Sequence, residues 1–299
     1  MTNKDKPFAQ ILIVGCGDIG LRVAELWQKS PYSPIAITAI ARSDNTLVNA
    51  SQLGLETQQA DLDKPSKLHD FPTKDALVYY FAPPPVKGTE DSRMRHFLTS
   101  INEHALPNRI IYISTSGVYG DQQGQLINEQ TPVNPQVDRA KRRFDAEQQL
   151  TQWGDNHAVP VTILRVGGIY GPGRLPLQRI KDRVPMVYEK LAPQTNRIHA
   201  DDLAQVCVAA ALKGNGSQLF NVSDGSNSNM TEYFNTIADF FELPRPPLVD
   251  WEEAEKVISP GMLSYLKESR RLDNSKMMQE LEIKLLYPSL EEGLKSSIN

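Results

Sequence analysis

The stretch Gln10-Ile11-Leu12-Ile13-Val14-Gly15-Cys16-Gly17-Asp18-Ile19-Gly20 decides the reading of the whole chain. The apolar run Ile11 to Val14 has the pattern of a strand buried on both faces, as in a parallel sheet, and it leads directly into a glycine-rich turn. In such a turn Gly15 permits the tight bend, Gly17 lets the backbone approach a pyrophosphate, and Gly20 lets the next helix pack on the strand. Leu21 to Gln28 continues as an amphipathic helix whose first amides, around Asp18 and Ile19, are placed to receive phosphate. Glycines at this spacing also mark ordinary strand-to-helix turns, but the buried strand before and the helical pattern after favour a bound dinucleotide. Cys16 reads as a small buried filler rather than a redox thiol.

The bulk composition narrows the field. With 299 residues the chain can bury a full core as one large α/β domain with an appended lobe, or as two domains. Its 2 cysteines lie far apart, which argues against a disulfide framework and for a reducing compartment. The N-terminal residues lack the apolar core of a signal peptide and are expected to be a flexible leader over 1–8; no run reaches membrane-span length. A cytoplasmic protein with no membrane partner is expected. A net charge of −4 excludes nucleic acid as the main partner, because phosphate backbones require a basic face. The basic cluster Arg139, Lys141, Arg142 and Arg143 is expected to be a solvated helix face, with an anion-binding role for the whole cluster as the alternative.

Strand and helix then alternate: strands over 35–41, 55–59, 76–81, 109–113, 160–166 and 218–222, with helices over 45–53, 90–105, 137–153 and 201–212. This alternation predicts an α/β fold, a doubly wound parallel sheet with helices on both faces. The second strand ends Ile40-Ala41-Arg42-Ser43, with no acid before Asp44. An acid there would receive the ribose hydroxyl of NAD, whereas Arg42, with Ser43 beside it, suits the 2′-phosphate of NADP; NADP is therefore expected over NAD, unless Arg42 is only a surface charge. At the third strand end, Asp61 and Leu62 are placed for an adenine ring, although an N-cap would also explain the aspartate. Ala82 and Pro83, in a proline-rich loop after the fourth strand, would lie along the cofactor by shape. The fifth strand ends in Ser114-Thr115-Ser116, where open α/β sheets place ligands, though hydroxyls also satisfy turns. Residues 174–200 are expected to be irregular and carry Arg179, Arg183 and Arg197, which could face an anionic substrate. From Asp224 onward the pattern is mainly helical, and no metal site is read.

Taken together, the glycine turn, Asp61-Leu62, Ser114 to Gly120, Leu164 to Arg174, Arg197 to Leu203 and the closing segment Tyr287 to Leu294 resemble the extended short-chain dehydrogenases/reductases, or NAD-dependent epimerase/dehydratase family. The resemblance implies a Rossmann-type sheet over 9–173 plus 198–223, and a smaller, mainly helical C-terminal substrate lobe over 174–197 plus 224–299. Its reaction centre is a Ser or Thr, a Tyr, and a Lys four residues after the Tyr. Carried over, Thr115 matches the first, Lys141 the Lys that holds the nicotinamide ribose, and Val137 falls at the Tyr. Valine cannot exchange a proton. Ser116, Arg174 and Arg197 are the expected substrate contacts, and family members often form homodimers through the helices read here at 90–105 and 137–153.

The resulting expectation is an NAD(P)-dependent oxidoreductase or epimerase acting on a nucleotide-sugar or another hydroxyl or carbonyl metabolite with an incomplete catalytic triad. The alternative is a non-catalytic NADP(H)-binding regulatory or sensor protein.

Overall fold

The computed structural model describes residues 7–68 and 71–298. Of the expected leader over 1–8, residues 1–6 lie outside these, and Phe8 is instead buried against Trp27 in the core. Seven strands form one sheet: β1 (Gln10–Val14), β2 (Ala36–Ala41), β3 (Glu56–Gln59), β4 (Ala76–Tyr80), β5 (Arg109–Thr115), β6 (Val161–Val166) and β7 (Gln218–Val222). Their spatial order is β7-β6-β5-β4-β1-β2-β3, and each adjacent pair is parallel. The chain thus leaves β1 in one direction, then returns beside it at β4 and proceeds in the other. That reversal opens a crevice between the carboxyl ends of β1 and β4, where doubly wound sheets take their ligands.

Strand alternation sorts the core. Ile11 and Ile13 face α1 (Asp18–Gln28) and α6 (Ala200–Lys213), while Leu12 and Val14 face α3 (Ser92–Thr99) and α4 (Asp138–His157). Both faces of β1 are covered, which is why its sequence is apolar without interruption. α2 (Asp44–Gln52) seals the far edge through Ala50, and Trp27 of α1 reaches across to donate to the Tyr79 hydroxyl at 2.9 Å.

Two helices differ from the sequence expectation. α3 is shorter than the 90–105 reading, because Asp91 caps its start by accepting from Met94 N at 3.0 Å and the chain leaves the helix at Ser100. α4 instead runs on to His157, with Gly154 tucked against β6: a Cβ there would lie 2.7 Å from Val161 Cγ2.

The segment expected to be irregular over 174–200 is partly ordered by pairing. It contains α5 (Leu177–Lys181), and its strand Arg197–His199 runs parallel to Gly168–Tyr170. With α7 (Met230–Phe240), α8 (Trp251–Val257) and α9 (Pro260–Leu266), it encloses a separate apolar core around Ile180, Met186, Phe234 and Ile237. α7 is started by a reciprocal cap between Asn229 and Glu232. Among the described residues no helix is long and apolar enough to cross a membrane.

Candidate functional site

Two cavities open along the carboxyl edge of the sheet, one on each side of the reversal. The smaller, of about 330 Å³, lies over the ends of β1 to β4. Gly15 forms its floor with φ +85°, and a Cβ there would sit 2.4 Å from the backbone nitrogen of Ala82, so only glycine lets the turn cross under the loop after β4. Gly20 is close-packed, its missing Cβ falling 3.0 Å from Ile13 Cγ2, whereas nothing lies within 4 Å of a Cβ built on Gly17. Gly17 is also the N-cap of α1 and offers no side-chain bond, so the first amides of the helix, from Asp18 to Gly20, have no intrahelical acceptor. Cys16 is buried inside the turn and burial pushes its thiol up to about 12, as expected of an inert filler.

Arg42, Ser43, Asp61 and Leu62 line this cavity, with Ala82 and Pro83 on the opposite wall. Ser43 caps α2 by accepting from Thr46 N at 3.3 Å. Arg42 is exposed and makes one long contact, 3.5 Å, to Asp63. The carboxylate of Asp63 is already gripped at 2.7 Å on each oxygen by Arg93, whose hydrogen bonds hold its pKa below the usual range. The nearest acid after β2, Asp44, accepts from Gln59 at 2.7 Å. Asp61 Oδ1 takes the amide of Asp63 at 3.1 Å, a turn-forming bond that leaves Oδ2 near Lys64. Thr46 and Arg93 also reach the cavity; sequence reading missed them because both lie inside helices with no motif of their own.

The larger cavity, of about 680 Å³, lies over the ends of β5 and β6 and under the C-terminal lobe, starting at Pro84, next to the wall of the first. Thr115 and Ser116 line it. Ser114 lines it too, although it is buried and donates to Glu147 Oε1 at 2.5 Å. Glu147 in turn pairs with Arg165 at 2.7 Å, both nearly fully buried, so α4 is tied to β5 and β6 just beneath the hydroxyls. Thr115 accepts from Gly117 N at 3.1 Å and turns the chain into the loop.

Helix α4 corrects the spacing read from sequence. Val137 is its N-cap and Lys141 is exposed, and neither lines either cavity. The residues that reach the larger cavity are Arg139, Ala140 and Arg143. The reason is rotation: two residues along a helix amount to about 200° around it, so the 139/143 pair and the 137/141 pair face opposite ways. The basic cluster is therefore not a solvated face. Arg142 is buried and donates to the Gly88 carbonyl at 2.5 Å, and Arg143 donates to the Ile113 carbonyl at 3.0 Å. The signal available in sequence was Glu147, four residues beyond Arg143: its buried bonds fix which side of α4 faces the sheet.

Arg174 lines the larger cavity and also donates to Asp18 at 2.5 Å, and Arg22 of α1 grips the same carboxylate at 2.9 Å. Burial pushes the Asp18 carboxyl up, but the hydrogen bonds and charges of Arg174 and Arg22 outweigh it and leave its pKa low. Arg197 is buried, stacks 3.8 Å above the Tyr233 ring and donates to Ser228 at 2.6 Å; burial lowers its pKa to about 10. Arg179 lines the cavity and Arg183 does not. Glu268, Arg270 and Tyr265, in no recognisable motif, complete the wall, with Arg139 stacked 3.8 Å over the Tyr265 ring.

Known proteins resemble this arrangement. A model of the NAD dependent epimerase/dehydratase family matches residues 11–223. Over 144 residues the chain is 24% identical to human dTDP-D-glucose 4,6-dehydratase, covering 46% of this chain and 41% of that protein. It is also 24% identical to protein YeeZ of Escherichia coli K12 over 200 residues, 65% of this chain and 64% of YeeZ. The chain thus spans less than two thirds of the length of these curated relatives. Among solved structures, a functionally unknown conserved protein from Silicibacter pomeroyi DSS superimposes with a TM-score of 0.80 at 23% identity, covering 96% of this chain and 97% of that one. The UDP-glucose 4-epimerase of Thermotoga maritima, solved with UDP-glucose, gives 0.77 at 17% identity, covering 97% of each chain. At such identities the likeness is one of fold.

Proposed function

The chain belongs to the NAD dependent epimerase/dehydratase family, and from that premise we propose an NAD(P)-dependent oxidoreductase or epimerase acting on a nucleotide-sugar or another hydroxyl or carbonyl metabolite. The observation that carries the reading is the pair of adjoining cavities along one sheet edge, with the uncapped helix of the glycine turn beside the smaller one. The open space at Gly17 and the free amides from Asp18 to Gly20 fit a pyrophosphate; Leu62 offers an apolar contact to an adenine and Asp61 an acceptor. Arg42 and Ser43, with Asp44 engaged by Gln59 and Asp63 by Arg93, favour NADP over NAD. Ala82 and Pro83 close the wall by shape. A bound nicotinamide would supply a hydride acceptor or donor. The chain's own part is to hold the substrate hydroxyl with Thr115 and Ser116 and its negative charge with Arg174 and Arg197.

In this proposal the dinucleotide unit comprises 9–173 with 198–223, the substrate lobe comprises 174–197 with 224–299, and two copies pair through α3 and α4. A second reading, a non-catalytic NADP(H)-binding regulator, is favoured by one observation. The α4 side chains that face the cavity at a four-residue spacing are arginines, and a guanidinium cannot be deprotonated to pass on a proton.

Titration of the protein with NADPH and NADH, followed by assays of hydride transfer on a carbonyl panel and of nucleotide-sugar epimerisation, separates these readings. NADPH binding with turnover supports the enzyme, and binding without turnover supports the regulator. Failure of both dinucleotides to raise the melting temperature removes both, since a ligand that binds only the folded state must stabilise it.

A further inference from the structure

The larger cavity carries far more positive charge than its walls neutralise. Arg139, Arg143, Arg174, Arg179, Arg197 and Arg270 all line it, and the only acidic lining residue is Glu268. Glu268 is shared between Arg270 at 2.9 Å and Arg139 at 3.8 Å, and Arg174 has Asp18. The remaining arginines bond to no carboxylate among the described residues: Arg143 donates to the Tyr112 hydroxyl and the Ile113 carbonyl, Arg179 points at the Met262 sulfur, and Arg197 bonds Ser228. Arg197 is only 4% exposed and its Nη2 has no partner. Holding cations together in a partly dry cavity is costly unless anions join them.

Position separates the arginines into two groups. Arg174 and Arg197 come from the lobe side. Arg139 and Arg143 come from one face of α4, a single turn apart, and the first turn of that helix packs on the loop carrying the hydroxyls: a Cβ on Gly117 would lie 3.4 Å from Thr115 Oγ1 and 3.7 Å from Ala140 Cβ. Arg139 and Arg143 therefore share the cavity wall with Thr115 and Ser116. Arg143 bonds through Nη1, leaving Nε and Nη2 for a ligand. Stacking on Tyr265 and bonds to Ser264 at 2.5 and 3.2 Å hold Arg139 in place. Paired guanidiniums match the paired oxygens of carboxylate and phosphate.

We infer that Arg139 and Arg143 form an anion clamp for a carboxylate or phosphoryl group carried by the reacting unit of the substrate, the part that lies against Thr115 and Ser116. The clamp rests on the reading of the larger cavity as the substrate site. It adds that the substrate is charged at its reacting end as well as along any diphosphate, and it gives the α4 pair a permanent electrostatic task in place of proton transfer.

The test uses the full chain saturated with NADPH and two ligands that share a nucleotide and differ in charge on the sugar, UDP-glucose and UDP-glucuronate, measured by calorimetry. Wild type is expected to bind UDP-glucuronate about ten- to a hundredfold more tightly. Arg143→Gln and Arg139→Gln should each bring that ratio towards one, and Arg139→Lys should restore part of it. Equal wild-type affinities, or a preference that survives both glutamine variants, would overturn the clamp. Arg139, half-buried and outside the sheet, keeps the test decisive where Arg143→Gln fails to fold. Should neither nucleotide bind, the nucleotide-sugar reading falls by itself, and thermal stabilisation by citrate decides the clamp. Stabilisation of wild type that is mostly lost in Arg139→Gln supports it, and equal stabilisation of both proteins, or none of either, overturns it.

Discussion

The two cavities are neighbours on one sheet edge, yet they are built in opposite ways. The smaller is made where β1 to β4 end, from residues within the first third of the chain, and the backbone itself does much of the work: a glycine floor, free helix amides and a proline wall. The larger gathers side chains from Pro84 to Arg270, through both sheet and lobe, and its character is set by arginines rather than backbone. A site made of backbone depends on the geometry of one turn. A site made of distant side chains depends on how whole elements are rotated and docked.

The sharpest break of that contrast is Glu147→Ala. Removing one partner of the buried pair with Arg165 leaves a lone buried guanidinium and is expected to cost about 3–5 kcal/mol in urea unfolding. Among the described residues the glycine turn shares no hydrogen bond with this pair, so loss of stability should come with damage to the larger cavity's wall. A cost below about 1 kcal/mol would show that α4 is held by something else.

Next in size are the glycines. Gly15→Ala forces a side chain into Ala82 at a positive φ and should cost about 2–4 kcal/mol. Gly17→Ala has room for its methyl group, so its stability should change far less, whereas NADPH affinity should drop about tenfold by titration because the methyl projects where backbone must approach phosphate. If both variants behaved alike, the backbone account of the smaller cavity would fail.

A smaller effect is expected at Arg42→Ala: about a tenfold weaker grip on NADPH with NADH unchanged, measured by fluorescence titration. Equal losses for both cofactors would remove the 2′-phosphate assignment.

The smallest effect lies at the seam between the cavities, where Asp18 of the glycine turn meets Arg174 of the larger site. Because its folded-state pKa is lowered, Asp18 stabilises the protein above the ordinary value of 3.8, and that contribution is lost as pH falls through the lower folded value. The carboxylate is 39% exposed, so the contribution is screened to below about 1 kcal/mol. The gap in melting temperature between wild type and Asp18→Asn should therefore close on acidification, and a gap that widened would contradict the ion pair.

What was legible divides along the same line. The apolar run, the glycine spacing and the strand–helix alternation are local, and the doubly wound parallel sheet they predict is the one observed. Of the residues expected around a dinucleotide, Gly15, Gly17, Arg42, Ser43, Asp61, Leu62, Ala82 and Pro83 line one cavity, because strand ends in a doubly wound sheet share an edge, whereas Asp18, Ile19, Gly20 and Lys141 do not line it. Helix α4 shows the limit. Its sequence offers four basic residues, and a spacing rule carried over from relatives selected Lys141, which faces outward. Glu147, bonded to Ser114 and Arg165, joins the buried Ala140, Ala146 and Leu150 in fixing the rotation that turns Arg139 and Arg143 inward.

By itself, then, the sequence determined the doubly wound parallel sheet and the glycine turn, since each follows from patterns between residues close along the chain or from a backbone conformation only glycine adopts. The tertiary structure alone decided which arginines share a cavity, that Ser114 is bonded to Glu147, and that Tyr265 and Arg270 share a wall with Thr115. Those outcomes depend on helix rotation and lobe docking, which are set by burial summed over many distant residues and leave no spacing in the sequence to read.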